Sequence, residues 1–344
     1  MGSVNNAVVL VEAKKIERAW PVNMPPDEAS LFHSEQCVSL KEVKLHHFRN
    51  KRVNSSGIVF AGLKVQKECL IWPNHISSYG IKYVVREYVK KKMRKGVKGK
   101  KYFLCFDYWS DGYFHWILEV LPRILVVEKY LMEKDAVLIL PAKIKNQFHT
   151  DTLKIFSNLQ IEWVGENEVL LCDELYLPDR LAPSGSNNPD FMKAVQARVR
   201  KYHGFNPDPT KNIYVSRMKT PRRKIDNEAD VIELLKKYDF DVICFEDYSF
   251  EEQIKLMQNV KNCISIHGAN LTNVMFMAEG GKALEFRMKK DAVNNYYYAL
   301  AAACIIHYYY QGCDFTFIST QANNFNLSVD IPTLERNVLE MLKQ

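Results

Sequence analysis

Residues 262–277 read NCISIHGANLTNVMFM, and their reading decides the fold. The first five residues form an apolar run of strand length. The next four, His267-Gly268-Ala269-Asn270, are small or polar, and a short helix follows over 271–277, with Thr272 and Asn273 in its first turn. A strand that hands over to a helix through a small-residue turn is the repeating step of a wound parallel sheet. Working outward, the step recurs. Residues 212–216 (NIYVS) and 241–245 (DVICF) are strand-like, and residues 227–238 are helical with Val231, Leu234 and Leu235 on one face. Ser249 with Glu252 forms a capping box that opens a helix over 249–260, and residues 282–286 supply a fourth strand. The alternation predicts a doubly wound α/β domain.

The amino-terminal half also reads as α/β. Strands are expected at 56–63, 81–85, 102–106, 136–140, 161–164 and 174–177, with helices over 113–134 and 146–159. The stretches 182–190 and 204–210 are rich in Gly, Pro, Asn and Asp and flank a helix over 191–202. We place an acceptor-side domain at 1–203, a ligand-binding domain at 204–325, and a helix at 326–344 that packs back on the amino-terminal domain. Two such domains facing each other form a cleft at their strand carboxyl ends, where ligands bind in open sheets.

A chain of 344 residues, 47% hydrophobic and 25% charged, excludes disordered and collagen-like classes. The eight cysteines are widely spaced, without C-x-x-C, and most lie in apolar runs; they predict reduced, buried thiols and a cytoplasmic setting. Residues 1–10 show no signal-peptide pattern and miss the myristoylation signature at Asn6, and no apolar run is long enough for a membrane span. The overall charge is +7, yet residues 82–101 hold ten basic residues against Glu87, so the rest of the chain is slightly acidic. That basic segment, with Val89, Met93 and Val97 at helical spacing, reads either as a solvated surface or as a contact for an anionic partner, including peripheral docking on an anionic membrane. No nucleic acid is expected as its partner.

Three strands of the second domain end in chemistry. After 262–266, the small-residue turn His267, Gly268, Ala269, Asn270 offers backbone N–H groups to an anion, or merely satisfies turn geometry. After 212–216 come Arg217, Arg222 and Arg223, suited to bidentate grip on a diphosphate. Glu246 closes the next strand, where an acid holds ribose hydroxyls in nucleotide folds. Asp239-Phe240-Asp241 resembles a metal-binding D-x-D, but it lies at the opposite end of its strand and reads as turn chemistry, so no metal is predicted. In the first half, His115, Glu119 and Arg123 fall at i, i+4, i+8 on a helix; Glu119, or less favourably His115 or Asp111, is a candidate general base, and a structural pair fits the spacing equally.

Four blocks then appear together: FHWILEVLPRI at 114–124, VSR with RRKIDNE within 215–228, FEDYSFEEQI at 245–254, and HGANLTNVMFM at 267–277. In this combination and order the chain resembles glycosyltransferase family 61. The resemblance implies a GT-B architecture of two Rossmann-like domains, an inverting reaction, no obligatory metal and no cofactor beyond a nucleotide-sugar donor. The implied donor is a UDP-sugar such as UDP-xylose or UDP-N-acetylglucosamine, and the implied acceptor a glycan or lipid-linked saccharide in polysaccharide synthesis. The competing reading is a non-catalytic module of the same fold that binds an anionic partner through residues 82–101.

Overall fold

The computed structural model describes residues 6–144, 146–156, 158–319 and 324–343, so residues 1–5, on which part of the amino-terminal reading rests, lie outside it. The chain is α/β throughout. It divides into two units, Met1–Lys14 with Leu40–Ser184 and Lys15–Ser39 with Gly185–Gln344. The helix Pro189–His203 thus belongs to the second unit, and so does a short early segment.

The second unit carries the anticipated wound sheet. Its six strands lie in the order Phe240–Ile243, Lys211–Val215, Val260–Ile266, Lys282–Met288, His307–Phe317, Phe325–Ser328. The first five run parallel and the last is antiparallel. In chain order the parallel strands read 2-1-3-4-5, which puts the reversal of winding, and hence the crevice for a ligand, between Lys211–Val215 and Val260–Ile266. Burial on both faces explains their composition, and Val260–Ile266 exposes only Lys261. The capping box at Ser249 is present, with Ser249 accepting from the Glu252 amide and Glu252 accepting from the Ser249 amide.

The carboxy-terminal helix Ile331–Lys343, expected to pack back on the amino-terminal domain, instead buries Leu334, Val338 and Met341 in the second unit's own core beside Val231, Leu234 and Leu235. Lys15–Ser39 completes that unit. Phe32 is fully buried, edge-on to Tyr298 at 5.1 Å and to Tyr310 at 4.9 Å, with the Arg287 guanidinium 5.0 Å from its ring. The Val22 amide donates to the Tyr308 carbonyl, and Asn23 Nδ2 donates to the Tyr310 carbonyl.

The first unit is built on a nine-stranded mixed sheet. Ile161–Val164, Ala136–Pro141, Lys101–Leu104 and Glu168–Pro178 run parallel; Val43–Asn54 then pairs antiparallel with Glu168–Pro178 over nine register positions. The strand expected at 81–85 is a helix, Ile81–Lys90. IKYVV is β-branched and continuous, but Val84 and Glu87 are the buried positions, and their three-residue spacing follows a helix face. The basic segment is partly neutralised. Lys91 pairs with Glu87 at 3.0 Å, Arg94 with Glu162 and Glu168, and Lys101 with Glu133 and Asp135. Of the eight cysteines only Cys37 is exposed, and all are free. Among the described residues no helix is long and apolar enough to cross a membrane.

Candidate functional site

In the second unit, Arg217 lies two residues past the end of Lys211–Val215, and His267 and Gly268 leave Val260–Ile266 directly. The turn and the arginine meet. A Cβ on Gly268 would lie 2.3 Å from Arg217 Nη1, so only glycine leaves the guanidinium its place. Arg217 Nη1 donates to Asn270 Oδ1 at 3.4 Å; Asn270 Nδ2 donates to Ser265 Oγ, and that hydroxyl donates to the Val215 carbonyl at 2.8 Å. The turn after one strand is thereby pinned to the strand beside it.

Arg223 joins this rim in the left-handed backbone region, φ 58°, while Arg222 is exposed. The two inner arginines share one electrostatic fact. Each has a buried Nε without a hydrogen-bond partner, and among the described residues neither makes an ion pair. Burial, and then the Arg223 charge, pull the Arg217 guanidinium down to about 10, and burial lowers Arg223 as well. Two half-buried guanidinium groups that repel one another and have no ion-pair partner among the described residues have the chemistry to accept an anion.

Glu246 stands exposed in the turn Phe245–Asp247 and contributes a favourable charge to Arg217. Its turn is fixed by Gln253 Nε2, which donates to the carbonyls of Phe245 and Tyr248; Asn273 Nδ2 donates to Gln253 Oε1 at 3.0 Å. Asn273 and Thr272 are therefore buried supports, because the 3₁₀ turn Ala269–Phe276 points them into the core. Ala269 stays half-buried at the mouth of the turn. His267 Nδ1 pairs with Glu285 Oε1 at 2.5 Å, and the other oxygen of Glu285 accepts from the Tyr308 hydroxyl. A carboxylate on one ring nitrogen fixes the orientation of the ring. Asp239 sits at the start of its strand with φ 58°, consistent with a turn, and among the described residues no cluster of ligating side chains is suited to a metal ion.

In the first unit, the helix bearing His115 changes pitch. Tyr113–His115 is α-helical, Trp116–Val120 widens into a π-turn, and Leu121–Leu131 resumes the α-helix with Pro122 in its first turn. Proline there lacks the N–H that a regular ladder needs, which accounts for the widened turn. His115 Nδ1 lies 3.0 Å from Glu119 Oε2, as the spacing predicted. Arg123, the third member of the expected stripe, is buried and pairs with Asp107 at 2.8 Å. Arg180 bridges the two acids, binding Asp107 Oδ2 and Glu119 Oε2, and the Ser184 hydroxyl donates to Glu119 Oε1 at 2.6 Å. Both oxygens of Glu119 are committed. Burial alone pushes its carboxyl up, but His115 and Arg180 outweigh this and hold it below the ordinary range; Arg123 and Arg180 do the same for Asp107. Asp111 is exposed and 3.4 Å from Lys143.

Comparison with known proteins covers the stretch that holds both constellations. The family described as Glycosyltransferase 61 matches residues 113–284, half of the chain, from the His115 helix to the strand of Glu285. The chain belongs to glycosyltransferase family 61. A mouse relative, protein O-linked-mannose beta-1,4-N-acetylglucosaminyltransferase 2, is 28% identical over 105 residues, which is 30% of this chain and 18% of that protein. The match therefore spans less than a fifth of the mouse relative's length. Arg180, Ser184 and Glu285 are the partners in these two candidate constellations that the sequence reading missed. Glu285 had a signal, a lone acid inside the apolar strand KALEFRM; Arg180 and Ser184 had none, because each lies more than 60 residues from Glu119.

Proposed function

We propose that this family 61 member transfers a sugar from a UDP-sugar to a glycan hydroxyl with inversion and without a metal, on a GT-B scaffold. One observation carries the reading: Arg217 and Arg223 are half-buried without ion-pair partners among the described residues, each with a buried, unbonded Nε, beside a turn whose Gly268 leaves room for the Arg217 guanidinium. In this reading the diphosphate lies against both guanidiniums and the amides after His267, and the ribose hydroxyls lie at Glu246. His267, held by Glu285, donates a hydrogen bond to a phosphate oxygen as UDP departs with developing negative charge.

The base is best assigned to His115. Glu119 has two engaged oxygens and a lowered pKa, which suit it to orient His115 and to stabilise its protonated form rather than to take a proton itself. His115 accepts the acceptor-hydroxyl proton as that oxygen attacks the anomeric carbon, the bond to the UDP oxygen breaks on the opposite face, and one displacement inverts the centre. The fully reduced, mostly buried cysteines support the cytoplasmic setting.

Calorimetric titration of UDP in EDTA tests the donor site. Micromolar binding is expected, and Arg217→Ala or Arg223→Ala weakens it by roughly tenfold or more, as for loss of a charge-assisted contact. Absence of UDP binding, or an absolute requirement for magnesium, overturns the assignment.

A further inference from the structure

The first unit contains a cavity of about 450 Å³ between the helix Ile81–Lys90 and the loop after Lys101–Leu104, lined by Tyr79, Tyr83, Tyr108, Arg86, Lys90 and Lys91. A second cavity of about 270 Å³ shares Tyr79 and Tyr108 with it and adds Trp72, His75 and Trp109. The walls are built rather than incidental. Asn54, buried in the sheet, donates from Nδ2 to the Tyr83 hydroxyl at 2.9 Å and to Glu87 Oε2 at 2.7 Å, fixing the helix against the strand Val43–Asn54. The aromatic lining is continuous with the candidate base: Trp72 packs edge-on to Trp109 at 4.6 Å, and Trp109 lies 4.8 Å from His115.

Aromatic faces with Tyr hydroxyls at their edges suit a sugar ring, which presents apolar C–H faces and polar hydroxyls in its plane. The charge adds a further condition. Three cations line the cavity against one carboxylate, Glu87, which is already satisfied by Lys91 at 3.0 Å and by Asn54. Arg86 and Lys90 are exposed; Arg86 sits over the Tyr83 ring at 5.2 Å and makes only a long contact with Glu87, 3.9 Å, so its solvent-facing guanidinium and the Lys90 ammonium can both meet an incoming anion. We infer that this paired cavity is the acceptor subsite and that it takes an anionic saccharide, a sugar ring bearing a carboxylate or a phosphate. The inference rests on the glycosyltransferase reading above and narrows its acceptor class.

The test uses the full chain and follows tryptophan fluorescence with four probes: a hyaluronan tetrasaccharide, its carboxyl-reduced counterpart, glucose 6-phosphate and glucose. At low ionic strength at least one acidic probe binds about tenfold or more tightly than its neutral counterpart, and the ratio falls towards one near 1 M salt, where screening acts within about 3 Å. Preference for the tetrasaccharide assigns a uronate, and preference for the phosphate ester assigns a phosphosugar. Arg86→Ala combined with Lys90→Ala removes the ratio at unchanged melting temperature, and Trp72→Ala weakens acidic and neutral probes alike. Equal binding of charged and neutral probes, or a ratio that survives the double variant, overturns the assignment. Flotation with phosphatidylserine vesicles is the counter-test: if Arg86 and Lys90 are needed for vesicles but not for saccharide, they serve a membrane contact and the subsite fails. Titration of UDP on the same preparation separates the two readings. UDP binding without acidic-sugar preference sinks only the subsite, whereas acidic-sugar binding without UDP binding removes its role as acceptor and with it the enzyme reading.

Discussion

Two pairs of arginines, each drawn wholly or partly out of water, differ in their counter-charges. In the first unit Arg123 and Arg180 share Asp107 and Glu119, so each guanidinium faces a carboxylate. In the second unit Arg217 and Arg223 face each other and no carboxylate pairs with either among the described residues. The contrast separates scaffold from site. Asp107 and Glu119 are held below the ordinary carboxyl range and the pKa of Arg180 between them is raised, whereas burial lowers that of Arg217 and Arg223, as it lowers that of the fully buried Arg123. At Arg217 and Arg223 no ion pair among the described residues offsets that cost, and an anionic ligand is expected to relieve it.

The sharpest way to break this contrast is to remove one arginine from each group. Arg180→Ala leaves Asp107 to Arg123 alone and Glu119 to His115 and Ser184, and the loss of its charged hydrogen bonds is expected to cost about 1.5–3 kcal/mol, read as a lower denaturant midpoint. Arg217→Ala is expected to reduce turnover by roughly 10² to 10³, the usual loss of a preorganised contact to developing charge, while its melting temperature holds or rises. A variant that loses both activity and stability would mean that Arg217 belongs to the scaffold.

Acid sharpens the same contrast. The folded pKa values of Asp107 and Glu119 lie below their unfolded values, so their stabilisation is complete above about pH 4.5 and is lost as pH falls through the depressed folded values. A denaturant midpoint that drops steeply below about pH 4, with a shallower slope in Arg180→Ala, is the expected record. Arg217 behaves in the opposite sense: its charged form is disfavoured, so its penalty is present below about 10 and is relieved as pH rises through that value or as UDP binds.

Smaller effects follow from geometry. Gly268→Ala pushes the Arg217 guanidinium aside and is expected to weaken UDP binding by about tenfold, with the Arg217→Ala background showing little further loss if the two act together. Glu119→Gln keeps the shape of the His115 pair but not its charge, and the expected outcome is a lower kcat with an altered pH profile at nearly constant KM for donor. Arg222→Ala, a change on the exposed side of the same loop, is expected to alter donor KM less than about threefold.

These differences also explain what could be read from the sequence. The second unit's sheet was legible because each strand is short, apolar and followed by a helix with its own start signal, as at Ser249 and Glu252. His267, Gly268, Arg217 and Glu246 were legible because strand ends in a wound sheet share one edge. The choice of Arg223 over Arg222 was not, since adjacent residues differ only in the backbone twist that carries one inward. Ile81–Lys90 was misread because four β-branched or aromatic residues within 81–85 outweigh a helical face of two buried positions. Residues 43–54 gave no clear signal: a twelve-residue strand whose exposed half carries His, Arg, Asn and Lys lacks a clean two-residue period. The Asp107 and Arg180 pairing joins residues 73 apart and could emerge only from the fold.

The early segment Lys15–Ser39 has a consequence for biosynthesis. Phe32 leaves the ribosome some 266 residues ahead of Tyr298, the ring it packs against, and at roughly 5–20 residues per second that wait is on the order of 10 to 50 s. During it the nascent chain must hold a fully apolar plug without its socket. Without Phe32, Tyr298 and Tyr310 would each lose a ring that covers them, so the second unit is finished by a segment made before the rest of it.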